Sequence, residues 1–243
     1  MILATPVAEV QRLFGFPELP NLKPRWNVAP TQPVPAVRRE EDGRHLVTLR
    51  WGLVPFWADD PSIGARLINA RAETLAEKPS FRDAFRKRRC LVPADGFYEW
   101  KTEGKRKQGY AIRRRDRAPF AFAGLWERWN GPRSNRPPSN ESKGDGPAPA
   151  EPLETLTIVT TTANTVLKPL HDRMPVILDE TNWDLWLDPA APLPLLEGLL
   201  KPAPDALLEA YPVGPRVNNV RNDDEDCASP LDDAPTNDAP TLF

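Results

Sequence analysis

Cys90-Leu91-Val92-Pro93-Ala94-Asp95-Gly96-Phe97-Tyr98-Glu99-Trp100 reads as two strands separated by an Asp-Gly turn or bulge. The first half is almost wholly apolar, and the second sets one carboxylate, Glu99, between two aromatics. Upstream, Leu67-Ile68-Asn69-Ala70-Arg71-Ala72-Glu73 alternates in polarity. Successive side chains of an extended strand point to opposite faces, so Asn69, Arg71 and Glu73 share one face and Ile68, Ala70 and Ala72 the other. An amide, a cation and an anion on one face fit a strand that lines a binding cleft, and equally a solvated edge strand. Before it lies Trp51-Gly52-Leu53-Val54-Pro55-Phe56-Trp57, an aromatic run broken by Gly and Pro.

Outward from this centre the pattern stays mostly β. Thr5 as N-cap and Pro6 at the first helical position open a helix whose apolar stripe is Val7, Val10, Leu13 and Phe14, ending at Gly15. Strands are expected near 33–38 and 45–51, joined by a turn over 40–43. Ser80 and Asp83 suggest a capping box for a helix with Phe81 and Phe85 on one face. The 101–107 segment reads as a basic loop. Residues 110–115 and 120–129 read as a meander turning at Asp116-Arg117. Residues 155–162 and 176–178 read as strands, 178–187 and 193–201 as short helices with Trp183 and Trp186 inward, and 208–220 as strand-like. The Gly-, Pro-, Ser- and Asn-rich stretch 130–152 reads as a flexible inserted loop, and 223–243 as a disordered acidic tail behind one domain spanning 1–222. The expected class is α+β: mainly antiparallel β, a partly closed barrel with short flanking helices. Strand–helix alternation is missing, which argues against a doubly wound sheet.

Charge is uneven. All 32 Lys and Arg lie at or before Arg221 and seven of the 34 acids lie beyond it, so residues 1–221 carry +5 against −2 overall. A basic body with an acidic tail fits a nucleic-acid partner. No apolar run approaches the roughly 20 residues of a membrane-spanning helix, and no signal peptide is visible. A cytoplasmic protein is expected. The two cysteines, Cys90 and Cys227, are far apart and in unlike contexts, which gives neither a disulfide framework nor a zinc spacing. With two histidines and no phosphate-cradling Gly-rich loop, no metal or cofactor is expected.

Three polar residues stand out by context. His171, in His171-Asp172-Arg173-Met174-Pro175, can exchange a proton near neutral pH. Glu99 between aromatics has a raised pKa if desolvated, which suits proton transfer. Asn69 can orient a polar atom. Each also has an ordinary structural reading. The run Arg86-Lys87-Arg88-Arg89 either complements a helix C-terminus or binds phosphate.

The motifs Trp51-Gly52-Leu53-Val54-Pro55, Ile68-Asn69-Ala70-Arg71-Ala72-Glu73, Cys90 to Trp100, and His171 to Pro175 occur in that order. With Asn27-Val28-Ala29-Pro30-Thr31, they resemble the SOS response-associated peptidase (SRAP) family of abasic-site processing proteins, from the first helix to about Asn222. The resemblance implies a barrel-like fold that binds single-stranded DNA as a monomer in the DNA damage response, associated with the nucleoid when on DNA. In the family, an N-terminal cysteine condenses with the ring-opened aldehyde of an abasic site, and its amine and thiol close a thiazolidine. Asn69, Glu99 and His171 match the catalytic cleft. Arg71 matches a DNA-phosphate contact, Phe56 and Trp57 match base-contacting aromatics, and Arg86, Arg88 and Arg89 are weaker DNA-binding candidates.

One departure stands out. The family begins Met-Cys-Gly-Arg and an aromatic, whereas this sequence begins Met1-Ile2-Leu3-Ala4-Thr5-Pro6, with Met1 at the place of the aromatic. The nucleophilic cysteine is absent from it. Neither Cys90 nor Cys227 replaces it, because the five-membered ring needs amine and thiol on adjacent carbons of one residue. Either the start is placed late, the expectation preferred here, or the member is degenerate. The competing functions are a non-catalytic single-strand DNA-binding module and a peptidase limited to self-processing.

Overall fold

The computed structural model describes residues 1–104, 106–132 and 152–231. Helix α1 (Val7–Phe14) leads to strands β1 (Pro33–Glu40) and β2 (Gly43–Trp51) and to the short β3 (Asn69–Arg71). Helix α2 (Arg82–Lys87) then precedes β4 (Arg89–Ala94), β5 (Gly96–Glu103), β6 (Arg106–Arg114), β7 (Phe120–Trp129) and β8 (Leu153–Thr162). The chain ends its regular structure with β9 (Arg173–Pro175), β10 (Ile177–Leu178), α3 (Trp183–Leu187), α4 (Leu193–Gly198) and β11 (Leu208–Pro212).

The expected α+β class with a partly closed barrel is what forms. β1 pairs antiparallel with β2 and β4, β4 with β7, and β7 with β8. β8 then meets β2 in parallel at only Arg50↔Thr155 and Trp51↔Leu156. Five strands thus make a ring with one short seam. β3 and β9 extend it along β8, and β10 along β7. A separate three-stranded sheet holds β5, β6 and β11.

Period-2 alternation sorts the core. Cys90, Val92 and Ala94 of β4 join Val34, Ala36, Phe120, Phe122, Leu156 and Ile158 inside the ring. Leu91, Val37, Ala123, Leu125 and Val159 face the other way, beneath Phe14, Phe85, Trp183 and Trp186. A strand covered on both faces has no polar side, which is why β4 reads as a continuous apolar run. Phe14 stacks on Trp183 with ring centroids 4.4 Å apart. Among the described residues no helix is long and apolar enough to cross a membrane.

Several local expectations are corrected. Thr5 does not cap α1; the helix has no side-chain cap, and Thr5 bonds to Asp95 instead. α2 likewise has no side-chain cap. The strands either side of Asp95 do not pair with each other: β4 belongs to the ring and β5 to the small sheet, so Asp95 is a corner between sheets. The expected loop at 101–107 is strand at both ends: Lys101–Glu103 close β5 and pair with Arg106–Gln108 of β6. The 110–129 meander fails because β6 pairs with β5 and β11 and β7 with β4, β8 and β10. Most of the insertion read at 130–152 lies outside the described residues, as does the tail from 232 onward.

Residues 223–231 are not a tail. They form a turn at Glu225–Ala228 that buries Cys227 and Ala228 against Ile2, Tyr98 and Val213. Asp223 accepts from Trp26 N and Asn27 N at 2.6 and 2.7 Å and pairs with Arg25. Acidic composition misled because Asp223 meets donors far upstream and Asp224 pairs with Arg216.

Candidate active site

Three neighbouring strands build one floor. β3 runs parallel to β8 with Asn69 beside Ile158 and Arg71 beside Thr160. β9 runs antiparallel on the other side of β8, with Pro175 beside Thr160 and Arg173 beside Thr162. Alternate side chains share a face, and Asn69, Arg71, Ile158, Thr160, Arg173 and Pro175 all line one cleft of about 560 Å³. β5 contributes Phe97 to Trp100, the turn after β8 contributes His171, and Asn27–Pro30 and Val217–Val220 add two further walls. The expected alternation at 67–73 therefore holds over β3, with Asn69 and Arg71 exposed and Ala70 buried, but the strand ends at Arg71. Glu73 follows in a tight turn.

Entry into β3 depends on a backbone contact. Gly52 has φ +130°, and a Cβ on it would lie 2.6 Å from the Gly64 carbonyl oxygen. That close approach and conformation favour glycine, and it lets Leu53 N bond to Leu67 O at 3.1 Å just before β3.

Glu99 is half-buried beside Tyr98 and Trp100. Burial raises its pKa, the facing His171 works against that rise, and Asp172 adds to it. His171 is exposed and its Nδ1 accepts from Arg173 N–H at 2.9 Å, which puts the proton of the neutral ring on Nε2. Nδ1 also lies 3.2 Å from Asp172 Oδ1, a contact attractive only when the ring is protonated. Asn69, Glu99 and His171, far apart in sequence, line the same cleft.

Sequence reasoning left out several lining residues. Arg173 forks onto Glu73 at 2.7 and 2.9 Å and donates to Thr160 O at 2.6 Å. That pairing holds the Glu73 carboxyl below its ordinary range. The motif His171 to Pro175 contained Arg173, yet nothing in it named Glu73 as partner. Asn27 holds the Val217–Val220 wall, its Nδ2 donating to the carbonyls of Val217, Asn219 and Asn222 at 3.0–3.3 Å. Trp100 Nε1 donates to Asn218 Oδ1 at 2.8 Å across the rim.

Met1 lies in the cleft wall, 6% exposed. Its α-amino group donates to Val28 O at 2.7 Å. Burial lowers the amine pKa from 8.0 to about 5; nearby Asp223 opposes that shift and Arg25 adds to it. A neutral amine near pH 7 carries a free lone pair and is a nucleophile. Both thiols are the reverse: Cys90 and Cys227 are buried and burial pushes their pKa values up.

The remaining candidates lie elsewhere. Phe56 and Trp57 are half-buried outside the cleft lining, and Trp57 Nε1 reaches Pro79 O at 3.4 Å. Arg86 is exposed at the end of α2. Arg88 pairs with the buried Glu127 at 2.6 Å. Arg89 requires a correction: it is 4% exposed and donates to the carbonyls of Phe85, Arg86, Trp186 and Asp188. A guanidinium so enclosed ties α2 to α3 and has no donor facing solvent for a phosphate. Among the described residues no cluster of His, Cys, Asp and Glu is arranged to hold a metal ion.

Residues 1–220 match the profile of a family described as SOS response associated peptidase (SRAP). The chain is 44% identical over 201 residues to "Abasic site processing protein YoqW" of Bacillus subtilis (strain 168), covering 82% of this chain and 83% of that one. It is 34% identical over 226 residues to "Abasic site processing protein HMCES" of Gallus gallus, covering 86% and 67%. Among solved structures, a Bacteroides thetaiotaomicron protein superposes with TM-score 0.80 at 26% identity, covering 94% of this chain and 97% of that one. A phage-related protein from Bordetella bronchiseptica gives 0.63 at 30% identity, over 88% and 92%.

Proposed function

The chain belongs to the SOS response associated peptidase family, and on that premise we propose that it binds single-stranded DNA in the cleft and forms a covalent crosslink with abasic sites. The observation that carries this reading is the buried α-amine of Met1 in one cleft with Asn69, Glu99 and His171. The names of the relatives, each an abasic site processing protein, supply the substrate class.

The chemistry balances without an oxidant or metal. The open form of an abasic sugar carries an aldehyde, and a neutral α-amine adds to its carbonyl carbon to give a carbinolamine. Loss of water leaves an imine. Glu99, whose pKa burial raises, supplies a proton to the departing oxygen, and His171 takes the proton from nitrogen. Asn69 orients the amine. Where the N-terminal residue is cysteine, its thiol adds across the C=N bond and the proton passes to nitrogen, closing a thiazolidine with one water released overall. With Met1 the sequence stops at the imine, which water reverses. Arg71 meets a backbone phosphate, and a half-exposed Trp100 at the rim suits stacking, which tolerates any base.

The test is a denaturing gel of protein incubated with single-stranded DNA carrying one abasic site. A chain bearing Met-Cys-Gly-Arg ahead of Met1 is expected to give a heat-stable adduct, and the chain as printed an adduct only after borohydride reduction. Salt-sensitive binding with no adduct under either condition favours the non-catalytic DNA-binding module. Turnover of an unrelated peptide that Glu99→Gln abolishes favours the peptidase.

A further inference from the structure

Asp95 is 2% exposed, and a buried carboxylate is stable only where donors meet it. Among the described residues, its side-chain donors all come from the N-terminal segment. Oδ2 accepts from Ala4 N and from Thr5 N, at 2.5 and 2.8 Å, and Oδ1 accepts from Thr5 Oγ1 at 2.6 Å. The backbone repeats the connection: Asp95 N donates to Ile2 O and Ile2 N to Gly96 O, both at 2.8 Å. On its other edge Leu3 exchanges two hydrogen bonds with Arg25, each 2.8 Å. Ile2 and Leu3 thus bridge the Asp95 corner to Arg25, and Met1, bonded to Val28, lines the cleft.

Asp95 is also the corner where β4 turns into β5, four residues before Glu99. The carboxylate that fixes residues 4 and 5 therefore stands on the strand that carries the proposed acid. A shift of about 1 Å in a reacting group can cost on the order of a hundredfold in rate, so this linkage bears on chemistry as well as on folding.

We propose that Asp95 is a positioning residue that anchors residues 4 and 5 and thereby holds the α-amine in the cleft at a set place relative to Glu99. The inference deepens the proposed function, since the amine it holds is the nucleophile of that reading. The charged groups around the amine are Asp223 and Arg25, with Glu99, His171, Arg71 and Arg173 lining the same cleft. Asp95 acts on the amine through residues 2–5 and not by contact.

The test uses the full chain with Asp95→Asn, which sets an amide against the Ala4 and Thr5 donors, and with the milder Thr5→Val. The primary readout needs no DNA: acylation of the Met1 α-amine by acetic anhydride across pH, followed by the mass of the N-terminal peptide. The parent profile is expected to turn at about pH 5, and the Asp95→Asn profile to move up toward the ordinary value of about 8, with Thr5→Val between them. The second readout is crosslinking to abasic single-stranded DNA, expected to slow about tenfold or more in Asp95→Asn while affinity for intact single-stranded DNA is unchanged. A folded Asp95→Asn whose acylation profile superimposes on the parent overturns the proposal. If that variant does not fold, an unshifted Thr5→Val profile overturns it. A shifted profile with no crosslinking by any variant supports the positioning role and removes the crosslinking reading.

Discussion

Met1 and Val28 are bound in both directions: the Met1 α-amine donates to Val28 O at 2.7 Å, and Val28 N donates to Met1 O at 2.9 Å. This pair fixes Met1 in the wall of the cleft with its amine desolvated. The cost of charging that amine is a property of the folded state, so it is measurable as pH-dependent stability. The folded pKa, about 5, lies below the ordinary 8.0. The unfolded chain therefore binds more protons between those values, and stability rises with pH across the window. Stability attributable to this group is expected in full above pH 8 and lost as pH falls toward 5. Denaturant unfolding of the parent and of an N-terminally acetylated chain, compared from pH 5 to 8, checks this. The acetylated chain lacks this contribution to the slope, and identical slopes contradict it.

Glu99 titrates in the opposite sense. Its carboxyl pKa is raised by burial, so the folded state holds its proton longer than the unfolded one. Its contribution is present at low pH and is lost as pH rises through the folded value. Glu99→Gln is therefore expected to be neutral to stabilising at pH 7. The same change is expected to slow crosslinking by about a hundredfold, the usual scale for a proton-transfer group, and to remove one limb of the pH–rate profile. DNA affinity should not move. Equal loss of affinity and rate would make Glu99 a binding residue.

Arg71 and Arg89 separate binding from folding. Arg71→Ala is expected to weaken single-stranded DNA binding and to lower the slope of log affinity against log salt by about one, with thermal stability intact. Arg89→Ala removes a donor from the carbonyls of Phe85, Arg86, Trp186 and Asp188, of which Asp188 O keeps Ala191 N, at about 1–3 kcal/mol for each that stays unsatisfied. Thermal unfolding is expected several degrees lower, with the salt slope unchanged in the protein that remains folded. A reversed pattern would return Arg89 to the DNA-binding surface.

Asn27→Ala tests the wall opposite the floor strands. Its Nδ2 serves three carbonyls of residues 217–222, and the variant is expected to lose about 1–3 kcal/mol of stability. Hydrogen exchange should rise in 217–223 before it rises in β4 or β7. Uniform change across the chain would mean that Asn27 supports the whole fold and not that wall.

The legible parts of this chain were those carried by local chemistry. Gly15 ends α1 in the left-handed conformation, Trp183 and Trp186 pack inward, and Asn69 and Arg71 share a face, all as periodicity and turn residues indicate. Pairing was not legible. Asp95-Gly96 carries the same local signal whether the next strand folds back or crosses to another sheet, and only the burial of both faces of β4 decides it. Residues 223–231 look like solvated acid by composition, yet Asp223 finds Arg25, Trp26 and Asn27 nearly two hundred residues away. In the site, Asn69, Glu99 and His171 were named from motifs, whereas Glu73 with Arg173 and Asp95 with Thr5 are partnerships that only the fold creates.

The proposed function makes the N-terminal amine the atom that bonds to an abasic site. Its most direct measurement is peptide mapping by mass spectrometry after borohydride trapping of the printed chain on abasic single-stranded DNA. The sugar remnant is expected on the α-nitrogen of Met1, with loss of the adduct on N-terminal acetylation. A remnant on a lysine side chain such as Lys101, or an adduct that survives acetylation, would contradict it.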